Sequence, residues 1–235
     1  MARKRVITTK YEIIQVATEF FLEKGVSATS PNMIAEELGI STGNITYYFP
    51  NKDSMLAVLV EMLCDFQWKL MEKEADDGLS SVMAICLELA TMAAMCEENE
   101  IARDFYVTTY SFDRCLEVIQ RNDAERAKQV FAKYRPNWSD ENFAEAEMIV
   151  SGVEYATLRT NSFSPSLEIR IRGALEAILT TYGVPKEIRD AKIAKVLAMD
   201  YRGISKGVFD EFKKYVQNTT EQTLEEMMPR FMRKH

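Results

Sequence analysis

The chain has 235 residues, 47% hydrophobic and 28% charged, which is enough apolar material for a core and too much charge for a membrane-embedded protein. Its single histidine is the terminal His235, which argues against a histidine-dependent triad or a His-rich metal cluster, and no cysteine pair has C-x-x-C spacing. The net charge of −7 argues at first sight against nucleic acid, but a whole-chain sum conceals where the charges sit.

Helical signals dominate, and the chain reads as all-α. Thr9 and Glu12 have capping-box spacing at the start of a first helix. Ile13, Ala17 and Phe20 share one face of it, and Gly25 ends it. Ser30-Pro31 supplies an N-cap and a first-turn proline for a second helix, whose inner face is Ile34, Ala35 and Leu38 and whose stop is Gly39. A third short helix runs from about 42 to 49. Asn51 caps a long fourth one, running to about 74, with two apolar stripes. Further helices read as roughly 80–97, 100–111, 112–134, 139–162 and 166–182, and the block after Pro185 supplies two more. The expected organisation is a helix-turn-helix head over residues 1–52 and a helical body over 53–235, with the fourth helix connecting them. Cys64, Cys86, Cys96 and Cys115 lie in helix-periodic apolar stretches and read as buried free thiols in a reducing cytoplasm. No apolar run reaches membrane-span length, and no signal-peptide core follows the basic start, so a cytoplasmic protein without a membrane partner is expected.

Residues 30–49 carry the pattern of a DNA-binding helix-turn-helix. Ala35 is small where two helices must cross, and Gly39 tolerates the turn. Ile34, Leu38, Ile40, Ile45 and Tyr48 fall where both helices must be pinned to the first, and Thr42-Gly43-Asn44 opens the next helix with small polar residues. With Ala17, Phe20-Phe21, Lys24-Gly25, Ala28-Thr29-Ser30, Tyr47-Tyr48-Phe49 and Asn51-Lys52 around it, this segment resembles the TetR family of transcriptional regulators over about the first sixty residues. Beyond them, only length and helical make-up are similar.

The resemblance implies double-stranded operator DNA as a partner. Ser30 and Asn32 would hold phosphates, Thr42, Gly43, Asn44 and Thr46 would face bases or the groove wall, and Tyr47, Tyr48 and Lys52 would hold the backbone. Thr46 stands where the family often has Tyr, and Tyr48 where it often has His, which affects base preference more than phosphate contact. Charge divided by segment agrees: six bases and six acids cancel over residues 1–56, and the body carries the acidic excess. Arg3, Lys4 and Arg5 crowd the N-terminus as an arm for phosphate or a minor groove, or as a solubilising tail.

The resemblance further implies a homodimer through the helices at about 139–162 and 166–182, where Ser151, Gly152, Ala156, Gly173 and Ala177 permit close packing, against one another or inside the subunit. It implies an effector cavity for an unidentified small molecule among the middle helices. Met62, Phe66, Met92, Tyr106, Tyr110 and Tyr155, with Arg114 and Arg159 one turn beyond the tyrosines, would suit an amphipathic or aromatic ligand, an anionic one included. No cofactor or metal is expected. The function implied is a ligand-responsive regulator, a repressor released from a palindromic operator by a small molecule, rather than an enzyme. The alternative is a DNA-binding regulator controlled by a protein partner.

Overall fold

The computed structural model describes residues 10–76 and 78–227, with backbone alone at 72 and 74–76. Among the described residues there are twelve α-helices and no strand. They are α1 (Lys10–Lys24), α2 (Pro31–Leu38), α3 (Thr42–Tyr48), α4 (Lys52–Asp76), α5 (Ser81–Glu98), α6 (Glu100–Thr109), α7 (Asp113–Phe131), α8 (Asp140–Leu158), α9 (Leu167–Thr181), α10 (Lys186–Leu197), α11 (Tyr201–Asn218) and α12 (Glu221–Met227). Thr9, and with it the first expected cap, lies outside the described residues.

The head closes on a core of Ile13, Ile14, Ala17, Phe21, Ile34, Ala35, Ile45 and Phe49, all buried. Capping sets its corners. Ser30 Oγ accepts from the Met33 amide (3.4 Å), and Pro31 occupies the first helical position. Gly39 takes φ 64°, and the Gly39 and Ile40 amides donate to the Glu36 and Ala35 carbonyls (3.1 and 3.0 Å), a Schellman closure. Asn51 Oδ1 accepts from the Ser54 amide (2.8 Å) to start α4.

In the body α5 is the axle. Its sequence is apolar on all sides apart from Glu88 and the final turn, and such a helix must be covered all round. It packs against α4, α6, α7, α8, α9, α10 and α11. Alanines at 84, 90, 93 and 94, all buried, let those neighbours approach. The segment after Pro185 forms three helices rather than the expected two, because Asp200 and Thr220 each cap a new start. Asp200 accepts from the Gly203 amide (2.9 Å), and Thr220 from the Thr223 amide (3.2 Å). Of these, α11 lies along α4 and α5 and also reaches α1 of the head. No helix among the described residues is long and apolar enough to cross a membrane.

Candidate nucleic-acid interface and ligand cavity

The turn at Gly39 presents the start of α3 outward. Gly43, Asn44, Thr46 and Tyr47 are exposed, while Ile45 between them is buried. Asn32 and Thr42 sit side by side, Thr42 Oγ1 donating to Asn32 Oδ1 (3.0 Å), so the first turns of α2 and α3 share one surface. Tyr47 is 82% exposed, its ring touched edge-on by half-buried Tyr48 at 5.0 Å. Packing gives no reason for so open an aromatic. Gly43 also lacks a packing reason: a Cβ there would meet Ser41 Oγ at an ordinary 3.6 Å. Lys52 is a different case from the other expected contacts. Its ammonium donates to the carbonyls of Val26 (2.8 Å) and Thr29 (3.2 Å), tying the α1–α2 connection to α4, so it acts first as a strut of the head. Arg3, Lys4 and Arg5 lie outside the described residues.

In the body, a cleft of about 320 Å³ opens between α4, α5, α6 and α11. Of the expected residues, Phe66, Met92 and Tyr106 line it, and α11 roofs it with Ile204, Val208 and Glu211. Behind it lies a chamber of only about 10 Å³, walled by Asp123, Glu154, Thr109 and Tyr110, with Leu63, Gln67, Glu88, Met92 and Tyr106 common to both spaces.

Residues 13–59 match the family model for bacterial regulatory proteins of the tetR family. Three curated relatives agree. The HTH-type transcriptional regulator HbdR of Aromatoleum sp. (strain CIB) is 28% identical over 118 residues, 50% of each chain. RutR of Escherichia coli (strain K12), also an HTH-type transcriptional regulator, is 27% identical over 122 residues, 50% of this chain and 51% of that one. The probable HTH-type transcriptional regulator YttP of Bacillus subtilis (strain 168) is 32% identical over 71 residues, 30% of this chain and 34% of that one. The match to the tetR family is thus one of the DNA-binding head, residues 13–59. The similarity spans about half the length of HbdR and RutR. Among solved structures, Mycobacterium smegmatis AmtR is 18% identical, covering 85% of this chain and 99% of that chain at a TM-score of 0.37.

The electrostatics of the body reverse one expectation. Arg114 is exposed on α7, because Tyr110–Phe112 break the helix that would have carried it beside Tyr106. Arg159 is exposed too, its guanidinium donating to Tyr155 Oη (2.7 Å). Tyr155 stacks on Tyr110 at 6.4 Å from outside, and Met62 is buried in the core without lining either space. Arg114 and Arg159 are therefore not in the cavity, and among the described residues the cation that lines the cleft is the exposed Lys73.

Carboxylates are there instead. Arg126 engages both oxygens of Glu88 (2.9 Å each) and reaches Asp123 (3.3 Å). Glu154 accepts from Tyr110 Oη (2.9 Å). Glu147, one helical repeat earlier on α8, is 2% exposed, accepts from Tyr182 Oη and leaves Oε2 without a donor. Burial pushes Asp123 up to about 6 and Glu154 up to about 8, and raises Glu147 well above the ordinary range. Sequence reasoning missed these acids because charged residues on amphipathic helices usually face water. The available signal was phase: on α7, Arg126 falls in the buried stripe of Cys115, Val118, Ile119, Ala127 and Val130.

Four of the five small residues expected at a dimer face are exposed: Gly152 and Ala156 on α8, Gly173 and Ala177 on α9. Ser151 is the correction. It is buried and accepts from Gln120 Nε2 (2.9 Å), so it packs inside its own subunit. On the same outer surfaces Met148, Ile149 and Ile169 are 68%, 57% and 60% exposed. A Cβ added at Gly152 or Gly173 would meet nothing within 4 Å.

Proposed function

We propose that this chain is a DNA-binding transcriptional regulator whose grip on a palindromic operator is released by a small molecule, with a head over residues 1–52 and an effector and dimerisation body over 53–235. The observation that carries the DNA half is the start of α3, where Gly43, Asn44, Thr46 and Tyr47 are exposed without a packing reason on a helix pinned to the head core by Ile45. A recognition helix of the family docks these positions in the major groove, and asparagine can contact adenine through both amide atoms. Ser30, Asn32, Thr42 and Tyr48 border the same surface and serve its phosphate contacts. The basic residues Arg3, Lys4 and Arg5 extend it as an arm.

One head reads few base pairs, so two are needed about 34–36 Å apart on the duplex. The exposed apolar stripe of Met148, Ile149 and Ile169 beside Gly152 and Gly173 supports a homodimer through α8 and α9. The 320 Å³ cleft favours a small effector over control by a protein partner, since a cleft of that size suits an organic ligand. It touches α4, which begins in the head, so a ligand that reshapes it tilts the lever carrying α3.

The test is selection of duplexes from random sequence by the full-length protein, followed by titration of the selected duplex. The expected result is a two-fold symmetric site bound by a dimer. Selection of unrelated sequences, or binding by monomer to a single half-site, overturns the reading.

A further inference from the structure

We propose that the cavity takes an amphipathic organic cation, a protonated primary amine seated in the carboxylate-walled chamber with its apolar part in the cleft. The inference rests on the effector reading above and names the class of ligand.

Charge balance comes first. Glu88, Asp123 and Glu154 wall one space, and Glu147 belongs to the same electrostatic cluster. The cation among them is Arg126, already engaged by Glu88 and Asp123. Glu154 has no such partner: in the free protein it avoids the cost of an interior charge by keeping its proton, and a ligand ammonium would take that proton's place as the balancing charge. An anion would bring no such balance.

An unsatisfied polar group comes second. Tyr106, 3% exposed, lines both chamber and cleft, and its hydroxyl makes no hydrogen bond among the described residues. Polar groups inside folded proteins ordinarily find partners, so the Tyr106 hydroxyl, on a side chain shared by both spaces, marks where one is missing. The three N–H donors of an ammonium suit Glu154, Asp123 and the Tyr106 hydroxyl oxygen.

Shape comes third. A chamber of about 10 Å³ is the space of one water, which is also that of an ammonium head. A dry cavity of about 150 Å³ holds benzene, so the 320 Å³ cleft holds a chain of six to ten carbons, on the order of twice that volume. Met92 and Gln67 stand between the two spaces, in contact through Gln67 Nε2 and Met92 Sδ (3.7 Å), and methionine is an adaptable gate. A metal ion is the poorer occupant: among the described residues no group of three or more His, Cys, Asp or Glu is placed to hold one.

The experiment is calorimetric titration of the full-length protein with octylammonium, octanol and octanoate, which share a tail and differ in charge. Octylammonium is expected to bind at least about tenfold more tightly than octanol, and octanoate not at all. Glu154→Gln should weaken octylammonium by about tenfold or more and leave octanol unchanged, with Asp123→Asn as a second variant should the first fail to fold. Equal binding of octanol or octanoate, no binding of octylammonium, or octylammonium affinity unchanged in a folded variant overturns the inference. A parallel titration of the selected duplex separates the two readings. Octylammonium that binds in the charge-dependent way without altering DNA affinity upholds the cation site and overturns the effector role.

Discussion

The phenolic hydroxyl of Tyr11, on the first helix of the head, donates to the carbonyl oxygen of Thr219, where α11 ends (2.9 Å). The same α11 roofs the cleft with Ile204 and Val208. A helix that touches the cavity at one end thus grips the head at the other, beside the more direct path through α4. Tyr11→Phe removes this hydrogen bond, at an expected cost of about 1 kcal/mol. The check is thermal unfolding together with the ligand-induced change in DNA affinity, which should shrink in the variant if α11 carries part of the signal.

A second tie runs through α6. Asp104 accepts from the Ser27 amide (2.8 Å) and from the Ser27 hydroxyl, holding the turn after α1. Two residues on, Tyr106 lines the cavity. Asp104→Ala should speed amide exchange at residues 25–30 and destabilise the head by about 1–2 kcal/mol. Unchanged exchange there would show that the clamp is dispensable.

The buried acids give stability a sign with pH. Glu154 rises from 4.5 to about 8 on folding, and Asp123 from 3.8 to about 6. The folded state therefore binds more protons than the unfolded state between those values, and stability falls as pH rises. The contribution is complete below about 4 and is lost by about pH 8, on the order of a few kcal/mol. The groups facing this cluster are Glu88 from α5, Tyr106 and Tyr110 from α6, Arg126 from α7 and Glu147 from α8. Melting temperature should fall between about pH 5 and pH 8, and Glu154→Gln should flatten that fall. A rise over this window in the wild type would contradict the assignment.

Two head residues should separate by phenotype. Asn44→Ala alters an exposed side chain, so DNA affinity should drop by about 1–3 kcal/mol with unfolding unchanged. Lys52→Ala breaks the contacts to Val26 and Thr29, so it should lower the unfolding temperature as well as DNA binding. Melting curves beside gel-shift titrations make the distinction.

Placing a charge on the outer face of α8 tests the dimer. Ile149→Glu sits at a side chain 57% exposed in the single chain, so the fold should tolerate it while association fails. Sedimentation velocity should show a monomer that binds the palindrome weakly. A dimer undisturbed by the substitution would move the interface elsewhere.

The head was readable because its determinants are local. Ser30, Pro31, Gly39 and Asn51 act on backbone groups within a few residues of themselves, and the caps found are those the residues imply. The periodic apolar positions Ile13, Ala17 and Phe20 of α1 and Ile34 and Ala35 of α2 are buried where the pattern places them, and Leu38 is half-buried against the same core. The cavity was half readable. Phe66, Met92 and Tyr106 line it, but Arg114 was misplaced because the face of Tyr106 and Tyr110 was continued across the helix break expected at 111–112. Ser151 could not be told from Gly152 by size, since one residue along a helix turns a side chain by about 100° and exchanges inside for outside.

What the sequence settled by itself was the helical class and a helix-turn-helix head resembling that of the TetR family, written in caps, spacings and small residues that act over short range. Tertiary structure alone decided the sign of the cavity. Glu88, Asp123, Arg126 and Glu154 come from α5, α7 and α8, far apart along the chain, and each alone looks like solvated surface. Their meaning arises only where the helices pack. Burial strips away the water that would have made each charge ordinary, and leaves the interior short of positive charge.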